Sequence, residues 1–238
     1  RLSEETRLKP KPMVKIGNMP ILMHIIKSYE KYGFNEFFLA LGYKGYVIKK
    51  YFSKLKSKSK FHLINTGAKT LTGGRLLRLK KYFKDNENFM LTYGDGLSGQ
   101  NIKKLVNFHK KNKKIATMTV VRPPVRFGEV KIQSNLIKQF KEKPQISSSW
   151  INGGFFVLNS KIFKLIKNDQ IMLEREPLEK LSKMKQLCGF KHHGFWQCMD
   201  TLREKKFLEE IFKKKKKKIS LAGLSFRCLK IFISLAIK

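Results

Sequence analysis

Asp95 sits between two glycines, directly after the apolar run Phe89–Tyr93 (FMLTY). Such a run reads as a buried strand, and a carboxylate on a glycine turn at its carboxyl end can hold a divalent cation against a phosphate. On the residues alone a second reading stays open, in which the aspartate satisfies the backbone of its own turn. The segment also matches Gly-x-Gly-x-x-Gly through Gly94, Gly96 and Gly99. A dinucleotide site would need an acidic residue about 20 positions later for the ribose hydroxyls. No aspartate or glutamate occurs between Gly96 and Gly128. The Asp95 carboxylate would also repel a pyrophosphate unless a cation lay between them. Nicotinamide and flavin sites are therefore excluded.

Other reactive residue types point to nothing of their own. His192-His193 has no third ligand at metal spacing and reads as a surface or packing pair. Cysteines 188, 198 and 228 are odd in number and lack CxxC spacing, which argues against a disulfide framework or structural zinc and suits a reducing cytosol. Cys198 receives no role. Trp196 reads equally as a wall beside a bound ligand or as a core aromatic, and Phe155-Phe156 as sheet core.

The elements that must position Asp95 alternate along the chain. Helical spacing over Ile21–Tyr32 ends at Gly33, and Phe37–Leu41 (FFLAL) reads as a buried strand. A helix is expected at Tyr46–Phe52, a strand at Phe61–Ile64 and a helix from Gly73 to Tyr82. Beyond Phe89–Tyr93 come an amphipathic helix at Asn101–Lys111 and a β-branched strand at Ala116–Val121. A hairpin follows around Ser134-Asn135, then a strand at Gly154–Leu158 and helices near Lys161–Lys167 and Glu176–Lys183. This order predicts an α/β fold: a Rossmann-like mixed, mostly parallel sheet flanked by helices.

Charge narrows the partners. The 238 residues carry 52 lysines and arginines against 17 acidic residues, a formal +35. Of the 52, 43 are lysine and they spread along the whole chain, whereas a dedicated nucleic-acid reader would lean on arginine. The balance reads as a solvated lysine surface, compatible with a small anionic substrate, and nucleic acid is not expected as a partner. Lys213–Lys218 is a run of six lysines before the apolar but interrupted Ile219–Lys238. Its charge-free stretches fall far short of the ~20 residues a membrane span needs. The segment 213–238 is expected to lie outside the core, with a membrane surface as an alternative contact for the tail. No secretory h-region opens the sequence.

Several motifs gain meaning only in order. RLSEET (Arg1–Thr6), KPKPM (Lys9–Met13), TGGR (Thr72–Arg75), TYGDG (Thr92–Gly96), RFG (126–128), FKEKP (140–144), INGGFFV (Ile151–Val157) and GFWQCMDT (Gly194–Thr201) closely resemble the sugar-1-phosphate nucleotidylyltransferases. Within that family the resemblance is to the branch that makes CDP-glucose, and it runs from Arg1 to about Phe212. It implies a nucleotidylyltransferase domain over 1–212, a cytoplasmic location and a homo-oligomer. The substrates implied are CTP and glucose 1-phosphate, with UTP or dTTP as alternative nucleotides, and the cofactor is Mg²⁺.

The site residues follow from the same resemblance. Asp95 and Asp200, 105 positions apart, match the two aspartates that hold Mg²⁺. Lys11 and Lys143 match lysines at the reacting centre and on the sugar phosphate. Arg1, Thr70, Arg75 and Gly94 match nucleotide positions, and Gly128, Glu142 and Asn152 match sugar positions. A sugar phosphate oxygen is already an anionic nucleophile, so the reaction needs alignment and neutralised charge rather than a Ser-His or Cys-His pair.

Relatives place an apolar strand and a loop of the form LAGGLGTRL ahead of the arginine matched by Arg1, and this sequence starts at that arginine. The expectation drawn here is a sheet without its first central strand, a triphosphate loop without its N–H cradle, and sharply reduced catalysis or a silent remnant.

Overall fold

Strands built on Phe37–Leu41, Phe89–Tyr93 and Gly154–Leu158 have no polar face, so each needs apolar cover on both sides. A computed structural model describes residues 2–123, 128–142, 149–215 and 230–234, and it gives them that cover. After a helical turn at Ser3–Thr6 and a two-stranded ladder of Lys15–Ile16 with Met19–Pro20, the main elements in chain order are helix α1 (Ile21–Glu30), strand β1 (Glu36–Leu41), helix α2 (Gly45–Phe52) and strand β2 (Lys60–Asn65). Next come helix α3 (Thr72–Leu77), strands β3 (Asn88–Tyr93) and β4 (Gly96–Ser98), helix α4 (Ile102–Asn112) and strand β5 (Ala116–Val121). The hairpin β6 (Glu129–Gln133) and β7 (Leu136–Lys141) precedes β8 (Ile151–Asn159), helix α5 (Glu176–Lys183), β9 (Leu187–His192), β10 (Trp196–Cys198), helix α6 (Leu202–Lys215) and β11 (Ile231–Ser234).

Seven strands form one sheet in the order β9-β5-β8-β3-β11-β1-β2. Only β8 runs antiparallel to its neighbours, so the expected mixed, mostly parallel sheet is present. Alternate side chains face opposite layers. Phe37, Leu39, Met90, Phe155 and Ile231 pack with Leu22, Ile25 and Ile26 of α1 and with Leu105 of α4. Phe38, Leu91, Phe156 and Phe232 pack with Leu76, Ile162, Leu178 and Leu181 on the other face. Asn101 caps α4, its side-chain oxygen accepting from the Lys104 N–H at 3.0 Å.

The position between β1 and β3 corrects the sequence expectation. β11 fills it, parallel to both neighbours, with Phe232 opposite Phe38 and Leu91. Ile231, Phe232 and Ile233 are all fully buried. The sheet therefore has a central strand there, supplied by a segment distant in sequence, and residues 231–234 belong to the core rather than to an outlying tail. The physical reason is that Ile231-Phe232-Ile233 is a short continuous apolar run of the same kind as FFLAL. The Lys230 ammonium stays satisfied at the sheet's end, donating to the Tyr82 carbonyl at 2.6 Å and to Glu87 at 3.2 Å. Residues 216–229 and 235–238 of the expected tail lie outside the described residues.

Three smaller differences concern local structure. The helix expected over 73–82 divides into α3 and a 3-10 turn at Lys80–Tyr82, and the one near 161–167 is a 3-10 stretch at Ser160–Leu165. The β6–β7 hairpin forms its own two-stranded sheet, with Ile132, Leu136 and Phe140 more than half exposed.

Candidate active site

Asp95 leaves the carboxyl end of β3 and leads into β4. β4 pairs antiparallel with β10, Gly96 opposite Cys198, and the Met199 N–H donates to the Asp95 carbonyl at 2.9 Å. This short ladder brings Asp200 beside Asp95 across 105 residues of sequence. Asp200 is fixed in turn by the start of α6. Glu204 accepts from the N–H groups of Asp200 (2.7 Å) and Thr201 (2.9 Å), while the Thr201 hydroxyl accepts from the Glu204 N–H at 3.2 Å. That reciprocal Thr-x-x-Glu pattern is a capping box.

Lys11 reaches the same point from the other end of the chain. It opens a 3-10 turn, Lys11–Met13, framed by Pro10 and Pro12. Proline presets the backbone angle on each side of the lysine, whose own carbonyl accepts from the Val14 N–H at 3.0 Å. Lys11 Nζ donates to Asp95 Oδ2 at 2.7 Å and also to Asp200 Oδ1. Burial alone would lower the Lys11 pKa, but the two carboxylates outweigh it and hold the ammonium above its ordinary value.

Two carboxylates close enough to share one ammonium can share one divalent cation, and hard oxygen donors suit Mg²⁺. Cys198 is the sulfur at hand, donating to Asp200 Oδ2 at 3.3 Å. Burial, then the Asp200 charge, pushes its thiol up to about 12, and sulfur is too soft a donor for Mg²⁺, which takes oxygen ligands. The residues present therefore fit the ion that the resemblance implied.

The carboxylates border a cleft of about 210 Å³ lined also by Thr72, Tyr93, Asn152, Glu174 and Trp196. The indole N–H of Trp196 donates to the Gly153 carbonyl at 2.7 Å, so the ring serves as a wall. Asn152 Oδ1 accepts from the Gly154 N–H at 2.8 Å. Gly154 has φ +77°, and a Cβ there would lie 2.9 Å from the Tyr93 ring, so glycine is what lets that ring in. Burial first, and then the Glu174 carboxylate, push the Tyr93 phenol well above its ordinary pKa. Larger hollows, such as one lined by Asn88, His109, Lys110 and Lys113, lie at the opposite ends of the strands.

The remaining expected residues divide. Arg75 is buried and donates to the carbonyls of Leu41 (3.3 Å) and Ala68 (3.3 Å) and to the Thr66 hydroxyl (2.7 Å). It thus ties the end of β1 to the chain that follows β2; Thr70 is buried as well. Burial and the neighbouring Arg78 charge lower its pKa. Gly94 is buried in the turn before Asp95. Gly128 and Glu142 meet at the base of the β6–β7 hairpin, where a Cβ on Gly128 would lie 3.1 Å from a Glu142 carboxylate oxygen, and neither lines the Asp95 cleft. Arg1 and Lys143 lie outside the described residues.

Sequence reasoning did not single out Glu174 or Tyr93. The TGGR segment, read for nucleotide contact, also packs against 169–174. The Leu71 N–H donates to the Asp169 carbonyl at 3.0 Å and the Gly73 N–H to the Ile171 carbonyl at 3.0 Å. A Cβ on Gly74 would stand 2.3 Å from the Asp169 carbonyl oxygen, so only glycine permits this approach.

A family model described as nucleotidyl transferase matches residues 1–197. The glucose-1-phosphate cytidylyltransferases of Salmonella typhi and Salmonella typhimurium are each 46% identical over 238 aligned residues, covering 91% of this chain and 93% of theirs. Among solved structures, a UDP-glucose pyrophosphorylase complexed with UDP-glucose superposes with a TM-score of 0.67 at 17% identity, covering 89% of this chain and 93% of that one. That last likeness speaks for the fold alone.

Proposed function

The chain belongs to the nucleotidyl transferase family, and we propose that it is the enzyme that transfers a cytidylyl group from CTP to α-D-glucose 1-phosphate. The products are CDP-glucose and pyrophosphate. The observation that carries this reading is the closure of Asp95 and Asp200 on Lys11 at the carboxyl ends of the strands, beside a cleft sized for a small phosphorylated sugar.

The sugar phosphate oxygen attacks the α-phosphorus in line and pyrophosphate leaves from the opposite side. No proton has to be removed from the nucleophile. Asp95 and Asp200 would hold Mg²⁺, which supplies charge neutralisation between the two phosphates. Lys11, held charged by the same carboxylates, stabilises negative charge at the α-phosphate. The nucleotide lies along the Thr70–Arg75 segment and Gly94, with Arg1 on its triphosphate. The sugar phosphate lies toward Asn152, and Lys143, Glu142 and Gly128 are the further residues that the resemblance assigns to it. Phosphoryl chemistry by positioning and charge alone suits a site with no nucleophile triad.

Among the described residues no helix is long and apolar enough to cross a membrane. Assembly into a homo-oligomer is part of the proposal and is read by light scattering.

The test is pyrophosphate release from CTP, glucose 1-phosphate and Mg²⁺, run beside UTP and dTTP. Release with CTP, lost in Asp95→Asn and Asp200→Asn, supports the assignment. Preference for UTP or dTTP corrects the base, and no release with any nucleotide refutes it.

A further inference from the structure

The cleft holds two polar atoms that the phosphate chemistry leaves unused. Thr72 Oγ1 donates to Glu174 Oε2 at 2.5 Å and accepts from the Leu173 N–H at 2.9 Å, so one carboxylate oxygen of Glu174 is pinned. The other, Oε1, is buried and has no hydrogen-bond partner. The Tyr93 hydroxyl, in the same cleft, is likewise buried without a partner. Glu174 raises the phenol's pKa by its charge and by a loose side-chain contact, and Asn152 makes another, yet neither contact reaches the geometry of a full hydrogen bond. Buried acceptors and donors are rarely left in this state, because each has given up water for nothing in return.

Their chemistry narrows what completes them. A third carboxylate beside Asp95 and Asp200 repels a phosphate, so of the groups a sugar phosphate offers, the one that faces Oε1 is a neutral donor. The phenol can both donate and accept. A ring bearing adjacent hydroxyls offers a donor for Oε1 and a partner for the phenol at once, while its phosphate turns toward Lys11. Trp196, with its N–H already engaged, provides an apolar wall for the ring's carbon face.

We propose that Glu174 Oε1 and the Tyr93 hydroxyl read the ring hydroxyls of the sugar phosphate, and that this pair sets sugar specificity. The inference rests on the cytidylyltransferase reading for the identity of the sugar, though not for the existence of the seat. The segment 169–174 is thus part of the site, delivered by its contact with Gly73 and Gly74.

The experiment is calorimetric titration in Mg²⁺ with glucose 1-phosphate and, separately, with inorganic phosphate. Glu174→Gln keeps the shape and removes the charge; Tyr93→Phe removes only the hydroxyl and leaves the core intact. Each is expected to weaken glucose 1-phosphate about tenfold, the size of a lost hydrogen bond to a charged or buried partner, with phosphate unchanged. Monodeoxyglucose 1-phosphates locate the hydroxyl: the analogue that binds the parent weakly should lose nothing further in the variant. Unchanged sugar affinity in both variants, or an equal loss for phosphate, overturns the proposal. So does a rise in KM for CTP with none for the sugar phosphate. A parent that binds glucose 1-phosphate through this pair yet releases no pyrophosphate refutes the activity and leaves the seat standing. A parent that turns over while both variants keep full sugar affinity refutes the seat alone.

Discussion

Replacing Phe232 by alanine tests the most unexpected part of the fold. Phe232 is fully buried and faces Phe38 and Leu91 across two parallel strands, with Phe156 in the same apolar layer. Removing a buried phenylalanine ring costs about 3–5 kcal/mol in lost transfer energy and cavity. Domains of ordinary stability have about 5–15 kcal/mol in total, so the variant should remain folded but lose a large part of its margin. With an m value of about 3 kcal/mol/M in urea, the unfolding midpoint should fall by about 1–1.7 M. Phe207→Ala provides the control: it removes the same ring from a residue 46% exposed on α6, and its cost should stay below about 1 kcal/mol. Urea unfolding followed by far-UV circular dichroism reads both. Equal midpoints for Phe232→Ala and the parent, or a smaller shift than the control, would show that the segment is not in the sheet.

Other substitutions address the site and its supports. Lys11→Met leaves two carboxylates without their shared cation and removes a charge from the reacting centre, so kcat at saturating Mg²⁺ should drop by about 10²–10³; a kcat within tenfold of the parent contradicts the assigned role. Gly74→Ala puts a methyl 2.3 Å from the Asp169 carbonyl oxygen. It should cost about 1–3 kcal/mol and raise KM for the sugar phosphate, and thermal unfolding with steady-state kinetics will show whether both move. His109 is buried with Nδ1 2.9 Å from the Thr117 hydroxyl, and burial depresses its pKa to about 4. Its folded pKa lies below the unfolded value, so the stability it contributes is complete above about pH 6.5 and is lost as pH falls toward about 4. The expected loss is about 3 kcal/mol, and His109→Gln should flatten that part of the stability–pH curve; an unchanged slope rules the account out.

The sheet's interior is legible because FFLAL and FMLTY are continuous apolar runs with glycine at or near their ends, and the α4 start because asparagine precedes an amphipathic stretch. What periodicity cannot show is the union of Asp95 with Asp200. It depends on β4 and β10, three residues each, too short to leave a pattern. The ordered motifs supply that pairing instead. β9 escapes a sequence reading since Leu187–His192 mixes glycine, lysine and histidine, as an edge strand can. β11 reads as tail because basic residues crowd the stretch before a short apolar run, and a sequence window averages over both. Glu174 lies in MLEREPLE, where the acidic residues look like the opening of a helix. Only its contact with Thr72, 102 positions earlier, reveals which glutamate turns inward.

Because one interior strand is spelled after every other strand of its sheet, these residues must wait to stitch that sheet together. Phe38 and Phe232 are 194 positions apart, and closing a loop of that length costs about 5 kcal/mol of chain entropy before any contact offsets it. Until residue 234 is available, β1 and β3 each present an open, apolar edge of the kind that recruits foreign strands. These residues should therefore fold through an intermediate whose sticky edges stay open until the last strand docks between them.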